Sequence, residues 1–144
     1  MGDWYTIGLA LGLGLGFGVI VAGLLAVNRA GLAVSLAVGA AVGFLIGLAI
    51  GDALSDGAGA EEIAGAIGGF LGALSAAAVV FGARRRGATR MGLAAFVGMA
   101  GLLVALLSLI PIVGYLVTVV FPLLAARMRG RQAARFAGLR TLAK

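Results

Sequence analysis

The run MGLAAFVGMAGLLVALLSLIPIVGYLVTVVFPLLAA, residues 91–126, holds 36 residues without a single charge. As one α-helix it would be about 54 Å long, far more than the roughly 30 Å of hydrocarbon in a bilayer. Pro111 lies near its middle, within Leu109-Ile110-Pro111-Ile112-Val113-Gly114-Tyr115. A proline followed closely by glycine in an apolar run reads as a turn or helix break. Division there yields a fourth span at 91–110 and a shorter fifth at 112–127, the two forming a Pro-Gly hairpin. The fifth measures about 24 Å and crosses if Arg127 extends its head to the interface or the bilayer thins locally.

Three further apolar runs precede this one, at 5–27, 32–54 and 63–82. The first two are separated only by Asn28-Arg29-Ala30-Gly31, a connection suited to a tight helical hairpin. The first run is longer than a secretory signal core and is preceded by Asp3 rather than by positive charge, so it reads as a retained span. The expected fold is therefore an all-α integral membrane bundle of five transmembrane helices over residues 1–128. A basic amphipathic tail follows at 129–144, where Phe136, Leu139 and Leu142 recur among Arg135, Arg140 and Lys144. The alternative is four spans plus a re-entrant segment at Pro111.

Composition agrees with lipid as the solvent. Of the 144 residues 62% are hydrophobic and 11% charged, and 26 glycines bring the apolar-plus-glycine share to about 80%. A soluble domain is nearer 45–50% on that count and about 25% charged. The absence of Cys and His removes thiolate and imidazole metal sites, disulfides and the commonest general base. No span carries an ionisable residue at mid-depth, which argues against proton-coupled transport. No enzyme activity and no cofactor are expected.

The net charge of +6 comes from ten Arg and Lys144 against five acids. The basic residues flank apolar runs without aromatic or groove-reading elements, so they read as topology signals rather than a nucleic-acid surface. With five spans and the N-terminus outside, Arg29, Arg84, Arg85, Arg86, Arg90, Arg127, Arg129, Arg131, Arg135, Arg140 and Lys144 all fall on the cytoplasmic side. Four spans would divide them between the two sides, against the positive-inside bias. The expectation is a multi-pass cell-membrane protein, N-terminus outside and C-terminus cytoplasmic, with Trp4, Tyr5 and Tyr115 at the outer interface. Arg84, Arg85, Arg86, Arg90, Arg127, Arg129 and Arg131 are placed to contact anionic lipid headgroups. On the other side, 52–62 gathers four acids and reads as a solvated loop, with Glu61 and Glu62 in the first turn of the third helix. Its spacing lacks the alternating ligands of a calcium loop, and no metal is expected there.

Glycine at every fourth position is the strongest local pattern. Gly39, Gly43, Gly47 and Gly51 share one face of the second span, and Gly65, Gly68, Gly69 and Gly72 recur in the third. Gly8, Gly12 and Gly16 do so in the first, with Gly14, Gly18 and Gly23 spread around it. Close backbone approach through small residues drives helix association in lipid. These faces either pack only on each other, making a tight monomeric bundle, or, since a small bundle is not expected to turn every glycine inward, leave the second-span face as the surface for a homo-oligomer or a membrane-protein partner. Ser35, Ser75, Ser108 and Thr118 are expected to bond back to their own helices.

The alternating Gly12-Leu-Gly14-Leu-Gly16-Phe-Gly18 resembles the first helix of the proteolipid ring subunit of rotary ATPases. That family also needs a carboxylate in the middle of a partner helix, which is missing here. Arg84-Arg85-Arg86-Gly87, the Pro111 turn segment and Ala137-Gly138-Leu139-Arg140-Thr141-Leu142-Ala143-Lys144 together resemble small uncharacterised multi-spanning membrane proteins of GC-rich prokaryotes. This resemblance covers roughly residues 84–144 and implies no activity. The functional expectation is a non-enzymatic membrane protein that self-associates or serves as a small subunit of a complex. The alternative is a passive channel or transporter-like protein for a small solute.

Overall fold

A computed structural model describes residues 3–54, 59–84 and 89–140, with side chains for all of these but residues 84 and 128–140. Its five α-helices are α1 (Asp3–Leu25), α2 (Arg29–Leu54), α3 (Ala60–Arg84), α4 (Arg90–Leu107) and α5 (Pro111–Arg140). Four of them, α1 to α4, are long and apolar enough to cross a membrane, and the apolar part of α5 is the shorter Pro111–Arg127.

Local chemistry sets the helix ends. Asn28 caps α2, its Oδ1 accepting from the Gly31 amide at 2.6 Å. Thr89 does the same for α4, with extended backbone angles and its Oγ1 accepting from the Gly92 amide at 3.3 Å. The two acids Glu61 and Glu62 occupy the first turn of α3, where the helix dipole favours negative charge. Pro111 is the first residue of α5, a position where its missing N–H costs nothing. The link from α4 is therefore the short Ser108-Leu109-Ile110, and Gly114 lies within the helix instead of in the turn. Pro122 sits inside α5 and deprives the Thr118 carbonyl of its usual helical donor.

The arrangement is centred on α1, which packs against all four other helices. On one side lie α2 and α3, and on the other α4 and α5, with α3 also touching α5. Residue pairings give the directions. Gly14 and Gly18 of α1 meet Gly65 and Gly69 of α3, in step, so those two run parallel. Gly39, Gly43 and Gly47 of α2 meet Gly69, Gly65 and Glu61 in reverse order, so α2 is antiparallel. Likewise α4 runs against α1, pairing Ala105 with Gly16 and Val97 with Gly23, and α5 returns parallel to α1 from its start beside Gly8.

The Pro111 hairpin is splayed: α4 and α5 scarcely touch each other, because each has α1 as its main neighbour. The boundary drawn at residue 128 does not coincide with a helix end, since α5 continues through Arg127, Arg129 and Arg131 to Arg140. Helix propensity is high in Arg, Ala and Leu, and nothing between 123 and 140 except glycine opposes propagation.

The core follows from the central place of α1. Leu15, Val19 and Ala22 pack with Ala73, Ala76, Ala77 and Val80 of α3 and with Leu93, Val97 and Val104 of α4. A second cluster joins Leu9, Ala10, Ile50 and Ala64. Large apolar side chains such as Phe96, Met99, Leu103 and Leu106 of α4 face outward, as lipid allows.

Candidate functional site

The glycines let helix backbones lie directly against one another. A methyl group placed on Gly43 would strike the Gly65 carbonyl, and one on Gly65 would strike the Gly43 carbonyl. Gly39 stands in the same relation to Gly69, with an ideal Cβ 2.9 Å from its carbonyl oxygen and 3.0 Å from the Ala73 methyl. Gly68 and Gly72 lie against the backbone of Leu11 and Leu15 in α1. Gly51 is buried near the end of α2. Every glycine singled out in the second and third spans thus lies at the junction of α1, α2 and α3 or is buried beside it.

Within the single chain the second-span glycine face is not left open. That face is taken up by α3 of the same chain. The first helix goes further, because it has two glycine faces: Gly14 and Gly18 serve α3, whereas Gly8, Gly12 and Gly16 serve α4 and α5. Gly101 and Gly114 complete the second interface, an ideal Cβ on the former falling 2.7 Å from the Gly16 carbonyl oxygen and the latter lying against Gly8 and Gly12. Gly98, by contrast, has open space where a Cβ would be. Residue spacing could have pointed to Gly101, but Gly114 was masked by its position after Pro111.

A polar contact lies at the end of this junction. Gly47 lets α2 approach the backbone of Glu61 and Glu62, which covers the first turn of α3 and leaves Glu61 only 1% exposed. Thr6 of α1 donates its hydroxyl to Glu61 Oε1 at 2.7 Å and is itself fully buried. The expectation of a solvated loop therefore fails at Glu61, which is enclosed by three helices. Asp56 lies outside the described residues. Nearby, the Tyr115 hydroxyl donates to the Trp4 carbonyl at 2.8 Å and ties the start of α5 to the start of α1.

The remaining interior hydroxyls are turned back on their own helices. Ser35 donates to the Leu32 carbonyl, Ser75 to Leu71, Ser108 to Val104 and Thr118 to Gly114, at 2.7–2.8 Å. None of these groups is held out toward a solute. Among the described residues there is no group of three or more His, Cys, Asp or Glu that could hold a metal ion.

Helix direction sorts the charges. Asp3, Asp52, Glu61 and Glu62 are at the end of the bundle where α1 and α3 begin, and positions 29, 84, 90 and 127 are at the other. Arg29, Arg90 and Arg127 are exposed. Arg85 and Arg86 lie outside the described residues, and Arg84, Arg129 and Arg131 are located only by their places in α3 and α5. Toward this basic end an apolar cavity of about 240 Å³ opens between α4 and α5. Buried Val19, Ala76 and Val97 form its floor, and exposed Phe96 and Leu124 stand at its rim.

No family model, curated protein or solved structure matches this chain.

Proposed function

We propose that this chain is a non-enzymatic multi-pass membrane protein that acts as a small, tightly packed subunit of a membrane complex or self-associates. Its apolar helices support membrane insertion. The observation that carries the reading is the glycine junction of α1, α2 and α3, where backbone meets backbone and the hydroxyls around it are internally bonded. Such an interior favours a rigid packing unit over a passage or a reaction centre. Partners would then meet the outer aliphatic faces, above all that of α4, where Met99, Leu102, Leu103 and Leu106 are all more than half exposed.

The N-terminus is assigned to the outside and the C-terminus to the cytoplasm, which sets the basic end against the anionic inner leaflet. The test is the mass of the purified protein in mild detergent, together with the identity of anything that copurifies. A stable homo-oligomer or a stoichiometric membrane-protein partner is expected. A solitary monomer that passes water, small polyols or halides into vesicles would overturn this reading in favour of a passive channel.

A further inference from the structure

We infer that the cavity between α4 and α5 is a binding site for one anionic phospholipid, an acyl chain lying in the crevice and the headgroup held at Arg90 and Arg127. The inference rests on the proposed membrane orientation and on the basic end as its anionic-lipid face.

The crevice follows from the splayed hairpin. Because α4 and α5 both lean on α1 and scarcely touch, a gap of about 240 Å³ is left between them, with a floor of Val19, Ala76 and Val97. Its walls are apolar side chains, so water finds no partners in it. Left empty, the lining would forfeit its dispersion contacts on one side. In a bilayer the filler at hand is a lipid chain. Transfer of a chain from lipid to this crevice brings no hydrophobic gain, since lipid tails are as apolar as the walls. Retention of one particular lipid must come from its headgroup.

Charge supplies that selection. Arg127 follows Ala125 of the cavity wall by two residues, about 3 Å along the helix, and Arg90 precedes rim residue Phe96 by six, about 9 Å. Since α4 and α5 run in opposite directions, both arginines lie at the same end, on the surface side of an apolar slot. Both are exposed, and guanidinium groups bind phosphate oxygens in a bidentate fork. A second copy of the chain is a poorer occupant. It inserts in the same orientation, so a helix of that copy seated in the crevice would bring its own basic end against Arg90 and Arg127.

The test is native mass spectrometry of the full chain purified from mixed phosphatidylglycerol and phosphatidylcholine, followed through progressive delipidation. One phosphatidylglycerol should survive washing that removes the other lipids. Ala100→Phe and Val79→Phe fill the crevice from different helices, and each should cut that retained lipid about tenfold. Helix content and melting in detergent identify a variant that fails to fold, and agreement between two variants on separate helices keeps the result independent of either one. Arg90→Gln with Arg127→Gln should abolish the preference for phosphatidylglycerol over phosphatidylcholine in the retained lipid. If both crevice variants fold and hold the lipid as well as the parent protein, the site is overturned even where the arginine variants lower anionic preference, and the basic-face reading stands alone. Equal retention of the two lipids by the parent protein overturns both readings. A change of oligomeric mass in the crevice variants, with lipid retention unaltered, assigns the crevice to a second copy instead.

Discussion

Thr6 and Glu61 stand 55 residues apart and meet in a 2.7 Å hydrogen bond between the start of α1 and the first turn of α3. Gly47 of α2 closes over the same turn, so three helices converge on one carboxylate. The consequence is a polar anchor at the acidic end of a bundle whose other contacts are almost all apolar. Thr6→Val keeps the shape and removes the donor, and it should destabilise the protein by about 0.5–1.5 kcal/mol, the net contribution of an intramolecular hydrogen bond. Thermal unfolding in detergent reads this directly. In a double mutant with Glu61→Leu the cost of losing the hydroxyl should shrink, because its acceptor is already gone; strict additivity would argue against a direct bond.

The reciprocal contact of Gly43 and Gly65 predicts a sharper response. Either residue changed to Ala must push two backbones apart, at a cost of about 1–3 kcal/mol typical of overpacking. Leu at Gly43 and Gly47 should prevent folding of the single chain instead of merely dissociating an oligomer, and loss of helix protection in hydrogen exchange would show it. Gly98 is the control. It has open space where a Cβ would go, so Gly98→Ala should be neutral or stabilise α4 by about 0.5–1 kcal/mol through reduced backbone entropy in the unfolded chain. A destabilised Gly98→Ala would mean that α4 packs differently or is covered by a partner.

Tyr115 secures α5 where it begins. Removing its hydroxyl in Tyr115→Phe breaks the bond to the Trp4 carbonyl and should cost about 0.5–1.5 kcal/mol, toward the lower end because the bond is exposed. The effect should be local, with faster amide exchange in the first turns of α5 and little change in α2. Uniform loss of protection across all five helices would contradict it.

The chain has no cysteine, so single thiols can be introduced without background. Asn28→Cys lies between α1 and α2 at the basic end, and Glu62→Cys lies at the acidic end. In whole cells a membrane-impermeant maleimide should label the second and spare the first. The reverse pattern would invert the proposed orientation, and labelling of both from one side would contradict the crossing of α2.

Much of this fold could be read from local properties. Apolar runs mark the helices because burial in lipid depends on each segment's own composition, and the basic residues could be sorted to one end because charge placement along the chain is independent of packing. Asn28, Thr89 and Pro111 are found at or beside helix starts because capping is settled within four residues. The four-residue glycine spacing likewise identified faces made for close approach. It could not say which faces would meet. That choice depends on the axial offset and rotation of one helix against another, which a period common to α1, α2 and α3 leaves open. Tertiary packing therefore assigned the α2 glycines to α3, gave α1 two glycine faces, moved Gly114 from a turn to an interface and enclosed Glu61. It also left α4 and α5 apart, since one helix can be the neighbour of all the others only if some of those others do not meet.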